Sequence, residues 1–265
     1  MPWLPNETES FTHTIYYKKI GGVFMPRFFT GNVQNGQAEI TGNDARHMAL
    51  SLRMKIGDPV TICNNDGTDY QCVITAIHPE QVILSVQDCL PSAGEPSVFI
   101  TLYQALPKGD KLEMIVQKAV ELGVGRIVPV LTHRCVSRPD AKAMAKKLER
   151  CNRIALEAAK QCGRGHVPSV EPVISFAQAL EQMAASSLAL FFYENGEQSL
   201  RSFLSEKHFT EASVLIGSEG GFEVSEARQA ADAGLVPLSL GNRILRCETA
   251  PLAAITSILY EAGDL

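Results

Sequence analysis

From Val98 onward the chain alternates short apolar runs with helical segments, and this rhythm restricts its fold more than any other feature. Strand, helix and strand in succession is how a mostly parallel sheet is wound. Val98–Gln104 reads as a strand. Asp110 is placed to cap the next helix, with Glu113 three residues on in a capping-box arrangement. Leu112, Ile115, Val116, Ala119 and Val120 share one helical face, and Gly123 ends that helix. Ile127–Leu131 is the next strand, and a long helix covers about Ala141–Cys162, stopping at Gly163. Later strands fall at Leu188–Tyr193, Ser213–Gly217 and Val236–Leu240, and a final helix runs from about Thr249 to Glu261.

Upstream the texture is different. A short helix is expected at about Gly42–Arg53, then strands at Val60–Cys63, Tyr70–Ile77 and Val82–Val86. Asn64-Asn65-Asp66-Gly67 is a strong hairpin signal and His78-Pro79-Glu80 a turn, so this part reads as a small β-barrel. The Pro91–Pro96 stretch is turn-rich and marks a boundary, giving a first domain at 25–93 and a second at 97–265. Residues 1–24 follow no period and are expected to be an extension, either disordered or lying ahead of a true start at Met25.

Several classes are disfavoured. Met1–Phe24 lacks the apolar core of a signal peptide, and no apolar run reaches the roughly 18 residues of a membrane span. The seven cysteines contain no C-x-x-C pair and the six histidines no H-x-x-x-H pair. The expectation is a reduced, cytoplasmic protein without a metal site and without a membrane partner.

The net charge of −5 conceals a grouping. Residues 96–170 hold 13 Lys and Arg against 6 Asp and Glu, whereas residues 25–95 hold 4 against 8 and residues 171–265 hold 5 against 13. Within the long helix Met144, Leu148, Cys151, Ala155, Ala158 and Cys162 form one apolar stripe, while Lys146, Arg150, Arg153, Glu157, Lys160 and Arg164 recur at the same spacing on another face. Like charges at that spacing repel, so phosphate contact is the favoured reading and a solvated face the alternative. Lys108, Lys111, Lys118, Arg134 and Arg138 form a second cationic set.

Two C-terminal turns carry the candidate chemistry. The strand Val214–Gly217 runs into Ser218-Glu219-Gly220-Gly221-Phe222, and glycines at the C-terminal end of a strand let backbone approach a ligand closely. This is neither a phosphate-binding P-loop nor a dinucleotide fingerprint, and alone it could be a tight strand–helix turn. The next strand ends at Gly241, and Arg243, Arg246 and Glu248 crowd in just before Thr249, a plausible N-cap. In a parallel sheet both turns open into the same crevice.

Ile216-Gly217-Ser218-Glu219-Gly220-Gly221-Phe222 resembles the I-G-P-E-G-G-F motif of RsmE-type 16S ribosomal RNA methyltransferases, and Leu240-Gly241-Asn242-Arg243-Ile244-Leu245-Arg246-Cys247-Glu248-Thr249-Ala250 resembles their L-G-x-R-I-L-R-x-E-T-A. Met25–Phe29, Gln117–Gly123 and Glu157–Arg164 are also similar to family segments, so the resemblance spans about residues 25–262. It implies a PUA-like β-barrel followed by a SPOUT-class α/β domain with a C-terminal trefoil knot. It further implies a homodimer, S-adenosylmethionine as cofactor, and N3-methylation of one uridine of 16S ribosomal RNA within the 30S subunit. Ser218 departs from the family's proline, which should loosen the turn.

Uracil N3 bears a proton and needs a base, or cations that stabilise the anion left behind. Arg246 is the candidate for the stabilising group, with Glu219 and Glu248 as candidate bases; a phosphate contact for Arg246 and a helix-start carboxylate for Glu248 are the alternatives. Cofactor contacts are expected from Phe192, Tyr193 and Glu194, from Gly217, Ser218, Glu219, Gly220 and Gly221, and from Leu238, Ser239, Leu240, Gly241, Arg243, Ile244, Leu245, Thr249 and Ala250. Leu240, Ile244 and Leu245 would line an apolar slot for adenine. RNA positioning falls to Arg27, Arg46 and Arg53 of the first domain and to Lys108, Lys111, Lys118, Arg134, Arg150, Arg153 and Arg164 of the second. A ribose 2′-hydroxyl methyltransferase and a non-enzymatic RNA-binding protein are the rival functions.

Overall fold

The computed structural model describes residues 25–204 and 207–265, so the extension expected at 1–24 lies outside the described residues. The first unit contains β1 (Arg27–Phe29), β2 (Val33–Gln34), β3 (Gln37–Thr41), helix α1 (Gly42–Arg46), β4 (Pro59–Cys63), β5 (Thr68–His78) and β6 (Gln81–Pro91). The single helix expected over Gly42–Arg53 is instead split. After α1 the chain widens into a π turn over His47–Ser51, closed by Leu52 N–H donating to the His47 carbonyl, and Arg53 then takes a positive φ of 52°.

Asn65 and Gly67 take positive φ values of 70° and 80°, which lets β4 turn back onto β5. The ladder runs β1-β4-β5-β6-β3-β2, antiparallel except for β1 beside β4. Its two edges, β1 and β2, send Phe28 and Val33 into the same core as Ile40, Met48, Ile62 and Leu84. The sheet therefore curls around one core without its edges pairing.

The second unit contains β7 (Phe99–Ala105), α2 (Lys111–Leu122), β8 (Arg126–Leu131), α3 (Ala141–Cys162), β9 (Ser169–Val170), β10 (Ile174–Ser175), α4 (Phe176–Ala184), β11 (Ala189–Phe192), β12 (Gln198–Ser199), α5 (Leu200–Leu204), β13 (Glu211–Ile216), α6 (Val224–Asp232), β14 (Pro237–Ser239) and α7 (Ala250–Ala262). The strands form one parallel sheet in the order β10-β8-β7-β13-β11-β14-β12, with β9 beside β8. Both faces are covered, which is why the central strands read as continuous apolar runs. Along β13, Val214 and Ile216 pack with α2, α3 and α7, while Leu215 faces the opposite cluster with α4 and α6. Among the described residues no helix is long and apolar enough to cross a membrane.

Helix α3 keeps its apolar stripe, with Met144, Cys151, Ala155 and Ala158 buried, and Asp140 accepts the Ala143 N–H at 2.8 Å as its N-cap. Asp110 does precede α2, but its side chain makes no cap bond. Its backbone is not extended, and Glu113, the other half of the expected box, is drawn to Arg150 of α3 at 2.8 Å.

Charge fixes the linker and joins the two units. Arg164 is 3 % exposed and grips Glu95 with two hydrogen bonds of 2.9 Å, while its third nitrogen donates to the Val120 and Val124 carbonyls. Burial would raise the Glu95 carboxyl, but Arg164 and the N–H groups of His166 and Gly165 hold it below the usual carboxylate range. Arg27 pairs with Asp69 and donates to the Arg164 carbonyl, and Lys160 reaches Asp44 at 2.9 Å. Gly94 lies against the Gly163 carbonyl, where an added Cβ would approach to 2.4 Å.

These contacts correct the surface reading of two residues: Arg27 and Arg164 are tied into the seam between the units and are not free to meet phosphate. Removing one partner of such a pair strands the other charge. Arg164→Met should lower the stability of the folded chain by about 3 kcal/mol, measured as a fall in the urea midpoint. A change under about 1 kcal/mol would show the pair to be dispensable.

Candidate functional site

Three adjacent strands, β13, β11 and β14, end at the same edge of the sheet, and a cavity of about 590 Å³ opens above those ends. Its wall comes from three stretches: Phe192–Glu194 with Gly196 after β11, Ile216–Phe222 after β13, and Leu238–Glu248 with Ala250 after β14. Lys111, at the start of α2, closes a further side. A crevice at the carboxyl ends of parallel strands is the general ligand position of such sheets.

The first turn is held from both ends. Gly221 N–H donates to the Ser218 carbonyl at 3.0 Å, and buried Phe222 packs edge-on against Phe191 with ring centres 4.9 Å apart. Gly221 has a φ of +65°, and a Cβ there would come within 2.9 Å of a Glu194 carboxylate oxygen. Gly196 is equally constrained, because its Cβ would sit 2.6 Å from the backbone of Leu238. The Ser218 hydroxyl is buried and, among the described residues, has no hydrogen-bond partner.

Arg134 braces this turn from outside. Its guanidinium donates to the Gly220 carbonyl and to Glu223, each at 3.0 Å, and its stem lies where a Cβ on Gly220 would be. Buried Glu226 accepts the N–H groups of His133 and Glu223, which fixes the β8–α3 connection against the start of α6. Arg134 is thus paired to the loop while its side chain stays partly exposed.

An ion cluster stands at one end of the cavity. Lys111 Nζ lies 3.0 Å from Glu219 Oε1 and 3.2 Å from Glu248 Oε2. Partial burial would raise the Glu219 carboxyl, but its own N–H, Lys111 and the Lys108 N–H hold it below the usual carboxylate range. Glu248 is held low first by the Cys247 thiol and then by its own N–H and Lys111. Burial and the neighbouring Glu248 push the Cys247 thiol up to about 12.

Among the residues picked from the two turns, all but Thr249 line the cavity; Thr249 sits at the exposed start of α7, and its side chain makes no cap bond. Ile244 is 89 % exposed and Leu245 half-buried, so the expected apolar slot is open on the Ile244 side. Arg243 and Arg246 are exposed on the last loop. Sequence reasoning gave Lys111 to RNA and passed over Gly196. The signal for Lys111 was the neighbouring of β7 and β13, which brings the start of α2 beside the Gly217–Phe222 turn and which chain order does not reveal. Of the cationic set, Arg46, Arg53, Lys108, Arg150 and Arg153 are exposed; the surface pairs Arg153–Glu149 and Lys118–Glu121 are of the weak kind that phosphate can displace, while Arg150 also leans on the largely buried Glu113.

Residues 94–259 match the family of the RNA methyltransferase domain, and residues 40–87 match the RNA methyltransferase PUA domain. Ribosomal RNA small subunit methyltransferase E of Bacillus subtilis is 36 % identical over 84 % of this chain and 89 % of its own length. The enzyme of that name from Synechocystis is 31 % identical over 83 % of this chain and 71 % of its own length. Among solved structures, ribosomal RNA small subunit methyltransferase E from Neisseria gonorrhoeae, bound to S-adenosyl methionine, superposes with a TM-score of 0.81 at 31 % identity, covering 89 % of this chain and 97 % of that one. The chain therefore belongs to the RNA methyltransferase family represented by ribosomal RNA small subunit methyltransferase E.

Proposed function

We propose that the chain methylates N3 of a specific uridine in 16S ribosomal RNA, using S-adenosylmethionine held in the cavity above β13, β11 and β14. The observation that carries this reading is the convergence of two glycine turns on one cavity, in a chain whose relative from Neisseria gonorrhoeae binds that cofactor. The residues fit the group. The approach at Gly196 and Gly221 leaves backbone bare on the cavity wall, and the buried, unpartnered Ser218 hydroxyl is a polar atom for a ligand to satisfy. Phe192, Leu238, Leu240 and Leu245 supply apolar surface beside Glu194, Ser239 and Gly241.

S-adenosylmethionine supplies an electrophilic methyl group, and the protein's task is to place and activate the nucleophile. Glu219 and Glu248, held low, are ionised at neutral pH and able to accept a proton, but are weak bases. Proton loss from uracil N3 then leans on stabilising the anion that forms, the role assigned to Arg246 on the exposed last loop. Arg46, Arg53, Lys108, Lys118, Arg150 and Arg153 are offered as phosphate contacts.

The same reading takes the C-terminal segment as a trefoil knot, supported by the return of α7 onto α2, β7 and β13. It takes the working form as a homodimer acting on the 30S subunit. Support for the dimer comes from large apolar side chains left exposed, Ile244 on the cavity wall, Met114 on α2 and Tyr260 towards the end of α7.

Calorimetry should show one S-adenosylmethionine bound per chain, and absence of binding would remove the cavity's assignment. Incubation of unmodified 30S subunits with labelled cofactor should place the label on N3 of one uridine; label on a ribose 2′-hydroxyl would select the rival reaction. Arg246→Ala should lower turnover by about 100-fold or more while leaving the melting temperature and cofactor affinity in place. Near-normal turnover would retire Arg246 from the chemistry.

A further inference from the structure

A charge count assigns Lys111 to RNA, but its ammonium faces inward, between two carboxylates that belong to different turns. Glu219 is carried by the turn after β13, and Glu248 by the loop after β14. Those strands are not neighbours, since β11 lies between them. Hydrogen bonds within the sheet therefore do not join the two turns directly, and Lys111 spans the gap from a third element, the start of α2. Its three N–H donors can serve two acids at once. Lys108 N–H also reaches Glu219, at 3.1 Å, so the same helix start holds that carboxylate twice. Without the ammonium, two ionised carboxylates would stand near each other, Glu248 keeping the Cys247 thiol as a donor and Glu219 the Lys108 N–H. Lys108, three residues earlier, is exposed, with no ion pair among the described residues, and is the lysine here left for phosphate.

We infer that Lys111 is a positioning residue of the methyl-transfer site: it ties the Gly217–Phe222 turn to the loop that carries Arg246 and Glu248, and it takes no part in gripping RNA. The inference rests on the reading of the cavity as the S-adenosylmethionine site. Its removal frees the two walls of the cavity to shift, and a misplacement on the scale of 1 Å is enough to cost about 100-fold in rate. Arginine at the same position can fork across two carboxylates and should restore much of the loss.

The test uses the full chain with Lys111→Met and Lys111→Arg. It reads turnover at saturating substrates, cofactor affinity by calorimetry, and affinity for 16S ribosomal RNA across a salt series. The expected result for Lys111→Met is a fall of about 100-fold in kcat with weakened cofactor binding, RNA affinity and its salt slope being unchanged, and substantial rescue in Lys111→Arg. A salt slope reduced by about one, with kcat kept, would make Lys111 a phosphate contact and overturn the inference. So would a Lys111→Met chain equal to wild type in all three readouts. If Lys111→Met does not fold, amine acylation of the unaltered chain decides: Lys111 should be protected without RNA and no further by its addition, whereas protection that appears only with RNA overturns the tie. A wild-type chain that binds no S-adenosylmethionine defeats the cavity reading, and the acylation result still judges the tie.

Discussion

Strand β13 lies in the middle of the parallel sheet, bonded to β7 on one side and β11 on the other, and every feature of the cavity follows from that placement. Because the neighbours are parallel, all three strands finish at one edge. The turn after β13 then meets the start of α2, which follows β7, and the chain leaving β11. The register Ile216 to Gln104 sets how far each strand projects, so the Gly217–Phe222 turn begins level with the end of β7. A shift of one residue would turn Leu215 from the α4–α6 side to the other face and bury the wrong side chains.

Much of the fold was legible because it is periodic. The apolar stripe of α3 and its stop at Gly163 are local statements, and local physics decides them. The hairpin at Asn64–Gly67 is of the same kind. What local rules missed are places where a distant group competed. Glu113 could have closed a box on Asp110, but Arg150 from α3 offered it a full charge. The helix after Gly42 opened into a π turn and ended at Arg53 with a positive φ, a departure that no propensity announces.

The cationic grouping shows the same limit. Spacing placed Lys160 and Arg164 on one face with Arg150 and Arg153, but α3 ends at Cys162 with Gly163 in a left-handed turn, so Arg164 lies beyond the helix. Charge alone could not say that Asp44 of the small domain meets Lys160 at the far end of that face, or that Glu95 of the linker takes Arg164 just beyond it. Those acids sit in the acidic first segment, so the asymmetry that suggested a polyanion partner is partly the two halves of an internal seam. The candidate site was legible as two turns opening into one crevice but without its added lysine, because strand order is set by packing across the sheet.

The close passage of Gly94 against the Gly163 carbonyl has a mechanical meaning. Two backbones in direct contact, flanked by a forked ion pair, fasten the linker at Gly94 and Glu95 to the end of α3. The chain leaving the barrel is therefore seated on the larger unit from its first residues, and a side chain of any size at position 94 would have to lift it off.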